Sequence, residues 1–561
     1  MKRCPECRRD YYDDTLLYCL DDGNALLEGP GIESATAILP NDRIQSEAPT
    51  RRHIETNATK SAKETAENPS TVKSAFKKRL LLSLAGIVLL AIAVFFGYWL
   101  FLQREAKSIQ SIAILPFENN SGDSSIDYLS DGLSESLIDK LSRVPNLKVI
   151  ARSSSFKFRG SQIDLNDVSN KLGVNAIVTG RVIKLGDTLS VHVEMVDIAA
   201  NRQIWSEQFD RKYSDIISVQ REIADSAVRQ LIMHVSAPQK NTDTATTDNE
   251  QAYDLYLKAR FVHQNAKSTE DLTTASGMLE RAIALDPKFA QACAELADVY
   301  NDLTGLDSPT YLPRSEALAR KAIQLNPDLA EAHLTMAKLL RNNWKWNEAE
   351  AEYKSALALN PNLADLHSSY SFHLNLTGRS DLAIEEAKRA VELDPLYGSI
   401  SSDPAYAYLI AHRWDDAINE SNRLLALDPE NEGALSILAW VDDARGRHPE
   451  ALEKYRKMIE VVGESKSRKV QLAYMLARNG DRESAKRIFE EITAGKDRVT
   501  KYESAEVYAA IGEHDLALDN LEAAFTEHNK DLLYIRVDPA LESLHSDPRY
   551  TDLIRRMNFP K

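Results

Sequence analysis

The sequence has few cysteines, and their positions exclude a scaffold held together by disulfides. Only four of the 561 residues are Cys: Cys4, Cys7, Cys19 and Cys293. Three lie close together near the N-terminus, and the fourth lies alone in the middle of the chain. A lone thiol cannot form an intramolecular disulfide within its own region, so this pattern is not that of a disulfide-rich secreted domain.

The sequence also lacks an excess of positive charge. It carries 68 Lys and Arg against 84 Asp and Glu, a formal net charge of −16. Broad nucleic-acid-binding surfaces need clustered Lys and Arg, so we expect no nucleic-acid partner. The P-loop, GxGxxG after a strand, HExxH, GxSxG and the kinase motifs do not occur in the sequence. We therefore predict that the protein is not an enzyme.

One long apolar run stands out at residues 80–102, LLLSLAGIVLLAIAVFFGYWLFL, and it contains no charged residue. A helix rises about 1.5 Å per residue, so a run of this length crosses a hydrocarbon core of roughly 30 Å. A buried core helix is rarely apolar all round over such a length, and the run starts too far from Met1 for a signal peptide. The run therefore predicts one transmembrane helix.

The residues that flank this run predict its orientation. Four basic residues closely precede it and two follow it: Lys73, Lys77, Lys78 and Arg79, then Arg104 and Lys107. Segments rich in Lys and Arg stay on the cytoplasmic side of a membrane. We expect the N-terminus in the cytoplasm and everything after residue 102 outside it.

Residues 1–28 have the pattern of a small metal-binding head. Cys4 and Cys7 form one half of a zinc knuckle, and Cys19 opens a second half in which Asp22 stands where a fourth Cys is usual. The segment resembles bacterial zinc-ribbon heads of the CPxC…(F/Y)C type, which implies a structural zinc ion held by these four residues. The alternative is a disordered tail with three free thiols. Residues 29–79 are polar and aperiodic, which predicts a flexible linker.

Residues 108–236 alternate between strand and helix patterns. Strands are predicted over 111–117, 147–151, 176–184, 189–197 and 202–210, and helices over 128–142, 165–172 and 216–232. Gly186 and Asp187 fit a tight hairpin turn between two of these strands. The order βαβαβββα predicts an α/β domain with a mixed sheet.

Several sequence stretches of this domain resemble a known family. IAILPFENNSGD, YLSDGLSESLIDKLS, VIARSSSFKFRG, LGVNAIVTGRV and IWSEQFDR are together similar to the FlgO-like or TolB-amino-terminal-like domain. The resemblance implies a bacterial protein of the inner membrane in which this domain precedes helical repeats. Some relatives are fused to an adenylate cyclase, a winged-helix regulator or a protein kinase, and none of these is visible in this sequence.

Two polar features of this domain allow more than one interpretation. Asp131, Glu135 and Asp139 are spaced by four residues on one predicted helix, as an acidic binding stripe or a solvated face would be, and we expect the solvated face. Residues 152–155, Arg-Ser-Ser-Ser, could contact an anionic ligand, but a turn is expected. Trp205 lies in an alternating strand and is expected to pack.

Beyond a polar linker at residues 237–250, a proline recurs with a fixed period. Pro327, Pro361, Pro395 and Pro429 each follow the previous one by 34 residues and end LNP or LDP. This is the period of the tetratricopeptide repeat, in which Ala positions let two antiparallel helices approach closely and Pro ends the second helix. The pattern predicts an all-α superhelix of about eight units over 251–528, with a C-terminal cap over 529–561.

The resemblance to tetratricopeptide repeats implies a concave groove lined by the first helix of each unit. By register, the polar residues facing this groove are Asp298, Asn301, Lys338, Arg341, Asn342 and Asn375. Lys338 and Arg341 could hold a peptide carboxylate, and the alternative is an ordinary solvated face. Pro404 falls inside the first helix of one unit and puts the contribution of that unit in doubt. Cys293 occupies a core position.

These features predict a multidomain protein: a zinc-ribbon-like head, one transmembrane helix, an α/β domain with a mixed sheet and a tetratricopeptide-repeat superhelix. The expected function is that of a single-pass membrane scaffold whose extracytoplasmic repeats bind protein or peptide partners. The alternative is a transmembrane signalling protein that couples an outer sensor region to the cytoplasmic head. Zinc is the one cofactor predicted.

Overall fold

The computed structural model describes residues 2–3, 10–11, 27–28, 109–160, 163–198, 200–212, 215–232, 247–304, 308–495 and 499–560. The chain divides into two compact units, Met1–Val94 and Phe95–Lys561. In the first unit, β1 (Lys2–Arg3), β2 (Asp10–Tyr11) and β3 (Leu27–Glu28) form an antiparallel sheet in the order β2-β1-β3.

Several sequence predictions lie outside the described residues. These are the zinc ligands Cys4, Cys7, Cys19 and Asp22, the linker at 29–79 and the apolar run at 80–102. Within the part of the chain that the structure describes, no helix has the length and apolar character needed to cross a bilayer. The head and the span therefore stay predictions.

The second unit begins with an α/β domain. Its strands are β4 (Ser111–Ile114), β5 (Glu118–Asn119), β6 (Lys148–Val149), β7 (Ala176–Leu185), β8 (Thr188–Asp197) and β9 (Arg202–Lys212). Its helices are α1 (Asp127–Leu141), α2 (Arg152–Ser155), α3 (Leu165–Leu172) and α4 (Ile216–Ile232), with a 3-10 turn at Ser124–Ile126. The predicted strands and helices are all present, and β5 and the short α2 are additional.

The sheet of this domain is mixed, as predicted. Its order is β6-β4-β7-β8-β9, and β5 pairs with β7. The pairs of β4 with β6 and β7 are parallel, whereas β7-β8 and β8-β9 are antiparallel hairpins. Gly186 has φ 60°, the left-handed conformation that the two-residue turn between β7 and β8 requires.

The acidic face of α1 is not the solvated surface that its spacing suggested. Asp131 is 1% and Glu135 5% exposed. Asp131 accepts two hydrogen bonds from Arg159 at 2.8 and 2.9 Å, and Glu135 accepts one from Arg152 at 2.5 Å. Burial raises the pKa of both carboxyls against these cations. The expectation was wrong because the arginines that pair with this face come from elsewhere in the chain.

Within the described ranges, seventeen helices follow and form eight pairs. In one pair the first helix is divided into two pieces. The pairs are α5 (Glu250–Gln264) with α6 (Thr269–Leu285), α7 (Ala290–Leu303) with α8 (Ser308–Leu325), α9 (Ala330–Asn342) with α10 (Trp346–Leu359), α11 (Ala364–Leu376) with α12 (Ser380–Leu393), α13 (Gly398–Ser401) and α14 (Asp403–Ile410) with α15 (Trp414–Leu427), α16 (Glu432–Ala444) with α17 (His448–Val462), α18 (Lys466–Arg478) with α19 (Arg482–Thr493), and α20 (Lys501–Ile511) with α21 (His514–Thr526). The number of pairs agrees with the predicted eight units.

Small and large apolar residues pack these pairs as the repeat pattern requires. Ala349 and Ala356 on α10 are fully buried, and Tyr353 between them fills the space toward the neighbouring pair. Two helices can approach closely only where side chains are small, and one pair cannot bury its apolar face alone. Cys293 is also fully buried, so its predicted core position is confirmed.

The turns between successive helix pairs also form hydrogen bonds with the α/β domain. Asn362 donates from Nδ2 to the backbone oxygens of Ser142 and Leu147, both at 2.8 Å. Asn360 donates to the Ser142 hydroxyl at 2.9 Å, and Asp394 accepts a hydrogen bond from Ser154 at 2.5 Å. The LNP and LDP turns therefore end helices and dock a second domain. Ser154 belongs to α2, where a turn was expected and a short helix is found.

Candidate functional site: a closed groove in the repeats

The C-terminal segment does more than cover the last helix pair. It consists of 3-10 helices at Lys530–Tyr534 and Pro539–Leu544 and of α22 (Pro548–Arg556). Trp346, at the start of α10, donates from Nε1 to the backbone oxygen of Met557 at 2.9 Å and stacks on Phe559 with ring centroids 4.4 Å apart. The repeats from α9 onward therefore curl until the C-terminal segment contacts the third helix pair.

Trp344 takes part in the same closure. It lies in the turn between α9 and α10 with φ 58°, a conformation that costs a bulky residue energy. Its ring stacks on Phe525 at 4.7 Å and lies 4.3 Å from the ring of His528. Corresponding turns of other pairs use glycine at positive φ, for example Gly378 and Gly446. The strained Trp344 is held by contacts with the far end of the superhelix.

This curvature encloses a cavity of about 650 Å³. Its wall is supplied by the first helices of six successive pairs, α9, α11, α14, α16, α18 and α20, and by the C-terminal segment. A volume of this size is that of a typical ligand site. The predicted concave groove is therefore present, and the cap closes one side of it.

Three of the six predicted groove residues line this cavity: Lys338, Arg341 and Asn375. Asp298 instead lines a smaller cavity of about 280 Å³ between the α/β domain and the first repeats. Asn301 and Asn342 lie on the same helices as Asp298 and Lys338 but line neither of these two cavities.

The two cations of the cavity already have partners. Lys338 lies 2.7 Å from Asp365 and 3.7 Å from Asp298. Burial lowers the pKa of Lys338, but the two carboxylates outweigh it and raise the pKa above its usual range. Arg341 donates to the Tyr353 hydroxyl at 3.1 Å and to the Ser369 hydroxyl at 3.2 Å.

The helix pair that contains Pro404 contributes to the wall, although its sequence put this in doubt. Pro404 lies in the first turn of α14, where a missing N–H costs nothing because that N–H has no helical partner. The first helix is thus split into α13 and α14 rather than lost. Asp403, Tyr406 and Leu409 all line the cavity.

Sequence reasoning missed the aromatic residues of the cavity wall. Phe372, Tyr406, Trp440 and Tyr474 line it, one from each of four successive first helices. Each follows the previous one by 34 residues, the length of one repeat. Lys338 occupies the same register position one repeat earlier. Alignment of the repeats on this one position would have found this aromatic ladder.

The acidic residues of the wall have no such period. Asp403 accepts a hydrogen bond from Ser368 at 2.5 Å, and Asp538 accepts one from the Tyr502 hydroxyl at 2.8 Å. Burial, and secondarily Asp365, raise the pKa of Asp403 to about 6 against the hydrogen bond from Ser368.

A second pair of carboxyls lies where α20 meets the C-terminal segment. Burial and the neighbouring Asp538 raise the pKa of Glu506 well above its usual range, and burial raises that of Asp538. Gln471 donates to Glu506 at 3.3 Å. These two carboxyls come from different parts of the sequence, so no local sequence pattern predicts that they lie together.

Two residues of the wall have a buried polar atom without a hydrogen-bond partner among the described residues: Asn375 at its side-chain oxygen and Arg341 at Nε. Asn375 is 2% exposed, and its side-chain oxygen accepts no hydrogen bond within the described residues. A buried amide oxygen without a donor costs about 1–3 kcal/mol. Among those same residues, no group of three or more His, Cys, Asp or Glu side chains is arranged to hold a metal ion.

Two family models match the chain. The tetratricopeptide repeat model matches residues 404–463. The chain carries tetratricopeptide repeats. The model of the second domain of HilA/YgeH-like transcriptional regulators matches residues 107–226, which is the α/β domain. The resemblance to the FlgO-like or TolB-amino-terminal-like domain is therefore corrected: the short stretches that suggested it belong to a segment that matches a differently named family.

Individual proteins are similar to parts of the tetratricopeptide-repeat chain. A putative adenylate cyclase 3 of Rhizobium meliloti is 34% identical over 251 residues, which cover 43% of this chain and 42% of that protein. This chain thus spans less than half of the length of that relative. A tetratricopeptide repeat protein from Parabacteroides merdae is 12% identical with a TM-score of 0.37, covering 48% of this chain and 100% of that one. YrrB, described as having an unusual peptide-binding site, is 20% identical with a TM-score of 0.27, covering 33% of this chain and 92% of that one.

Proposed function

We propose that the protein binds a protein or peptide partner in the cavity enclosed by α9 to α20 and the C-terminal segment. The observation that carries this proposal is the cavity itself, about 650 Å³ in volume and walled by the first helices of six successive repeats. Lys338, Arg341 and Asn375 lie in its wall and support the proposal with polar groups that a partner could contact. An extended segment of a partner could follow the ladder from Phe372 to Tyr474, because successive repeats present the same face.

The binding role does not require catalysis by this chain. The curated relative is named a putative adenylate cyclase, but less than half of its length aligns. The sequence contains none of the nucleotide-binding or catalytic motifs searched for. We expect the purified chain to form no cyclic AMP from ATP and Mg²⁺, and turnover above background would contradict this part of the proposal.

We further propose that residues 80–102 anchor the protein in a bacterial inner membrane, with the repeats on the extracytoplasmic side. The support is the uncharged apolar run and the basic residues that precede it. A reporter enzyme active only outside the cytoplasm should work when fused after Lys561 and not when fused before Met1. The reverse pattern would invert the topology.

Site-specific photo-crosslinking in cells tests the binding site. A photoreactive amino acid at Ser436, in the cavity wall, should crosslink a partner protein. The same amino acid at Leu427, which is 72% exposed on the second helix α15, should not crosslink that partner. Equal crosslinking from both positions, or crosslinking from Leu427 alone, would contradict the cavity as the binding site.

A further inference from the structure

The tetratricopeptide cavity is specialised for one sign of charge. We propose that it selects a protonated amine or a guanidinium group, presented by a Lys or Arg side chain of the partner or by a free polyamine. The inference deepens the proposed function and rests on it. Three independent features of the wall carry it: unpaired carboxyls, the aromatic ladder and the unpartnered oxygen of Asn375.

The first feature is the charge of the wall. Seven acidic residues line the cavity against two basic ones: Asp365, Asp403, Asp443, Glu503, Glu506, Asp531 and Asp538, with Lys338 and Arg341. Lys338 is engaged by two carboxylates, and Arg341 donates from Nη1 to two hydroxyl groups, whereas its Nε–H has no acceptor among the described residues. The wall therefore has an excess of negative charge that its own cations do not balance.

Some of these carboxyls already have a cationic partner and others do not. Asp365 pairs with Lys338, Asp443 with Arg478 and Glu503 with Lys466. Two others, Asp403 and Glu506, have no neighbouring cation that lowers their pKa. In contrast, Lys530 and Lys466 lower the pKa of Asp531, and His545 lowers that of Asp538. Burial raises the pKa of Asp403 and of Glu506, as expected for carboxyls that lack a cation. A bound cation would supply the missing charge.

The second feature is the aromatic ladder, which belongs to the same cavity wall as these carboxyls. Phe372, Tyr406, Trp440 and Tyr474 line the wall together with Tyr502 and Tyr534. Aromatic faces attract ammonium and guanidinium groups, with the guanidinium preferred. One such contact is already present, since the guanidinium carbon of Arg341 lies 4.9 Å from the centroid of the Phe372 ring. The rest of the ladder offers the same surface to a ligand cation.

Asn375 adds a directional contact. Asn375 belongs to the cavity wall, and its side-chain oxygen is buried and accepts no hydrogen bond from any described residue. An oxygen of this kind needs an N–H or O–H donor, and a protonated amine or a guanidinium is made of N–H donors. A carboxylate would offer this oxygen no donor and would meet the unpaired carboxyls.

Calorimetric titration of the full-length protein at pH 7.5 tests this inference. The probes are a pentapeptide of alanines with a central arginine, the same peptide with the uncharged isostere citrulline, and spermidine. We expect the arginine peptide to bind at least about tenfold more tightly than the citrulline peptide, because one buried charge contact changes affinity by this order. Competition by spermidine would indicate that free amines also enter, and its absence would indicate a side chain of a protein partner.

Matched variants test whether the arginine peptide binds in the cavity. Asp403→Asn is nearly isosteric, keeps an acceptor for Ser368, and should weaken the arginine peptide about three- to tenfold. Asp187→Asn removes the same charge from the exposed β7-β8 turn and should leave affinity unchanged. Asn375→Leu tests the second contact and should also weaken binding.

The outcomes separate this inference from the proposed function. Equal affinity for the arginine and citrulline peptides would overturn the cation preference and leave the binding site standing. Failure of all three probes, while Ser436 still crosslinks a partner, would do the same. Failure of the probes together with loss of the Ser436 crosslink would overturn both.

Discussion

Asp403 lies at the start of α14, facing Asp365 on α11 and the rings of Tyr406 and Tyr534. Its pKa is raised by burial to about 6, whereas an unfolded chain has an Asp pKa near 3.8. The folded state therefore binds the Asp403 proton more tightly than the unfolded state. The contribution of this group to stability falls as the pH rises from about 4 to 6, and above pH 6 the full penalty of a buried charge is present.

We predict that Asp403→Asn raises the free energy of unfolding at pH 7.5 by roughly 1–3 kcal/mol and changes it little at pH 4. Urea unfolding at the two pH values measures the difference. Asp187→Asn, in an exposed turn, serves as the control and should change stability by less than about 0.5 kcal/mol at either pH. An effect of Asp403→Asn that is the same at both pH values would show that its carboxyl is not the titrating group.

Individual residues were the least predictable level of this structure. The groove register placed Lys338, Arg341 and Asn375 in the cavity wall, because register is a local property of a repeat. It could not show that Lys338 is already paired with Asp365, or that Glu135 is buried beneath Arg152. Those pairings depend on which distant segments meet.

At the scale of single elements, the turns between helices carry two tasks. In the turn after α10, Asn360 accepts a local bond from the Asn362 backbone at 3.1 Å and donates to Ser142 at 2.9 Å. In the turn one repeat earlier, Asn326 makes the same local bond to the Asp328 backbone at 3.1 Å. Substitutions at Asn326 and Asn360 can therefore be compared to distinguish the contribution of the turn bond from that of docking the α/β domain.

We predict that Asn360→Ala destabilises the protein more than Asn326→Ala does, by about 1–2 kcal/mol, the cost of one buried hydrogen bond and of its unsatisfied partner. Chemical unfolding of the two variants measures the difference directly. Equal losses of stability would mean that the Ser142 bond contributes nothing to docking.

The turn after α9 offers a second test at this scale. Trp344→Gly removes the strain of φ 58°, worth about 1–2 kcal/mol, but also removes the rings that hold Phe525 and His528. We expect the C-terminal segment to loosen, with faster tryptic cleavage at Lys530 and Arg536. His412→Gly is the matched control, since His412 has φ 56° and its ring contacts Trp414 of its own helix pair. Equal cleavage rates in the two variants would contradict the closure of the groove by Trp344.

Elements were also the level at which sequence patterns succeeded best. The bounds of α3 and α4 were predicted to the residue, and the 34-residue period gave the number of helix pairs. Both signals are local, because apolar spacing and helix-ending prolines act within one element. The closure by Trp344 and Trp346 was not predicted, since it joins residues about 200 positions apart, as in the 211-residue separation of Trp346 and Met557.

At the scale of the second compact unit, the α/β domain and the first repeats share one apolar core, which includes Leu137 of α1 and Phe289 before α7. Charged groups cross the same interface. Arg260 on α5 lies 3.4 Å from Glu135 and 3.1 Å from Asp139, both on α1. Arg260 is therefore a second cation, besides Arg152 of the α/β domain, that compensates the buried carboxylate of Glu135.

We predict that Arg260→Ala destabilises this interface by about 1.5–3 kcal/mol, because Asp139 loses its ion pair and Glu135 keeps Arg152 but loses the second cation. We expect the α/β domain and the repeats to melt together in the native protein because they share one apolar core, and scanning calorimetry should separate their unfolding in the variant. Arg314→Ala, which breaks the half-exposed pair with Glu280, is the control and should cost under about 1 kcal/mol. An unchanged single transition in Arg260→Ala would contradict the role of this residue in docking.

Hydrogen–deuterium exchange of the full chain with the arginine pentapeptide tests the central claim most directly. If the enclosed cavity binds the ligand, protection should increase in the first helices α11, α14, α16 and α18, which carry Phe372, Tyr406, Trp440 and Tyr474. It should not increase in the second helices α12, α15 and α17. Protection confined to the second helices or to the α/β domain would contradict the account.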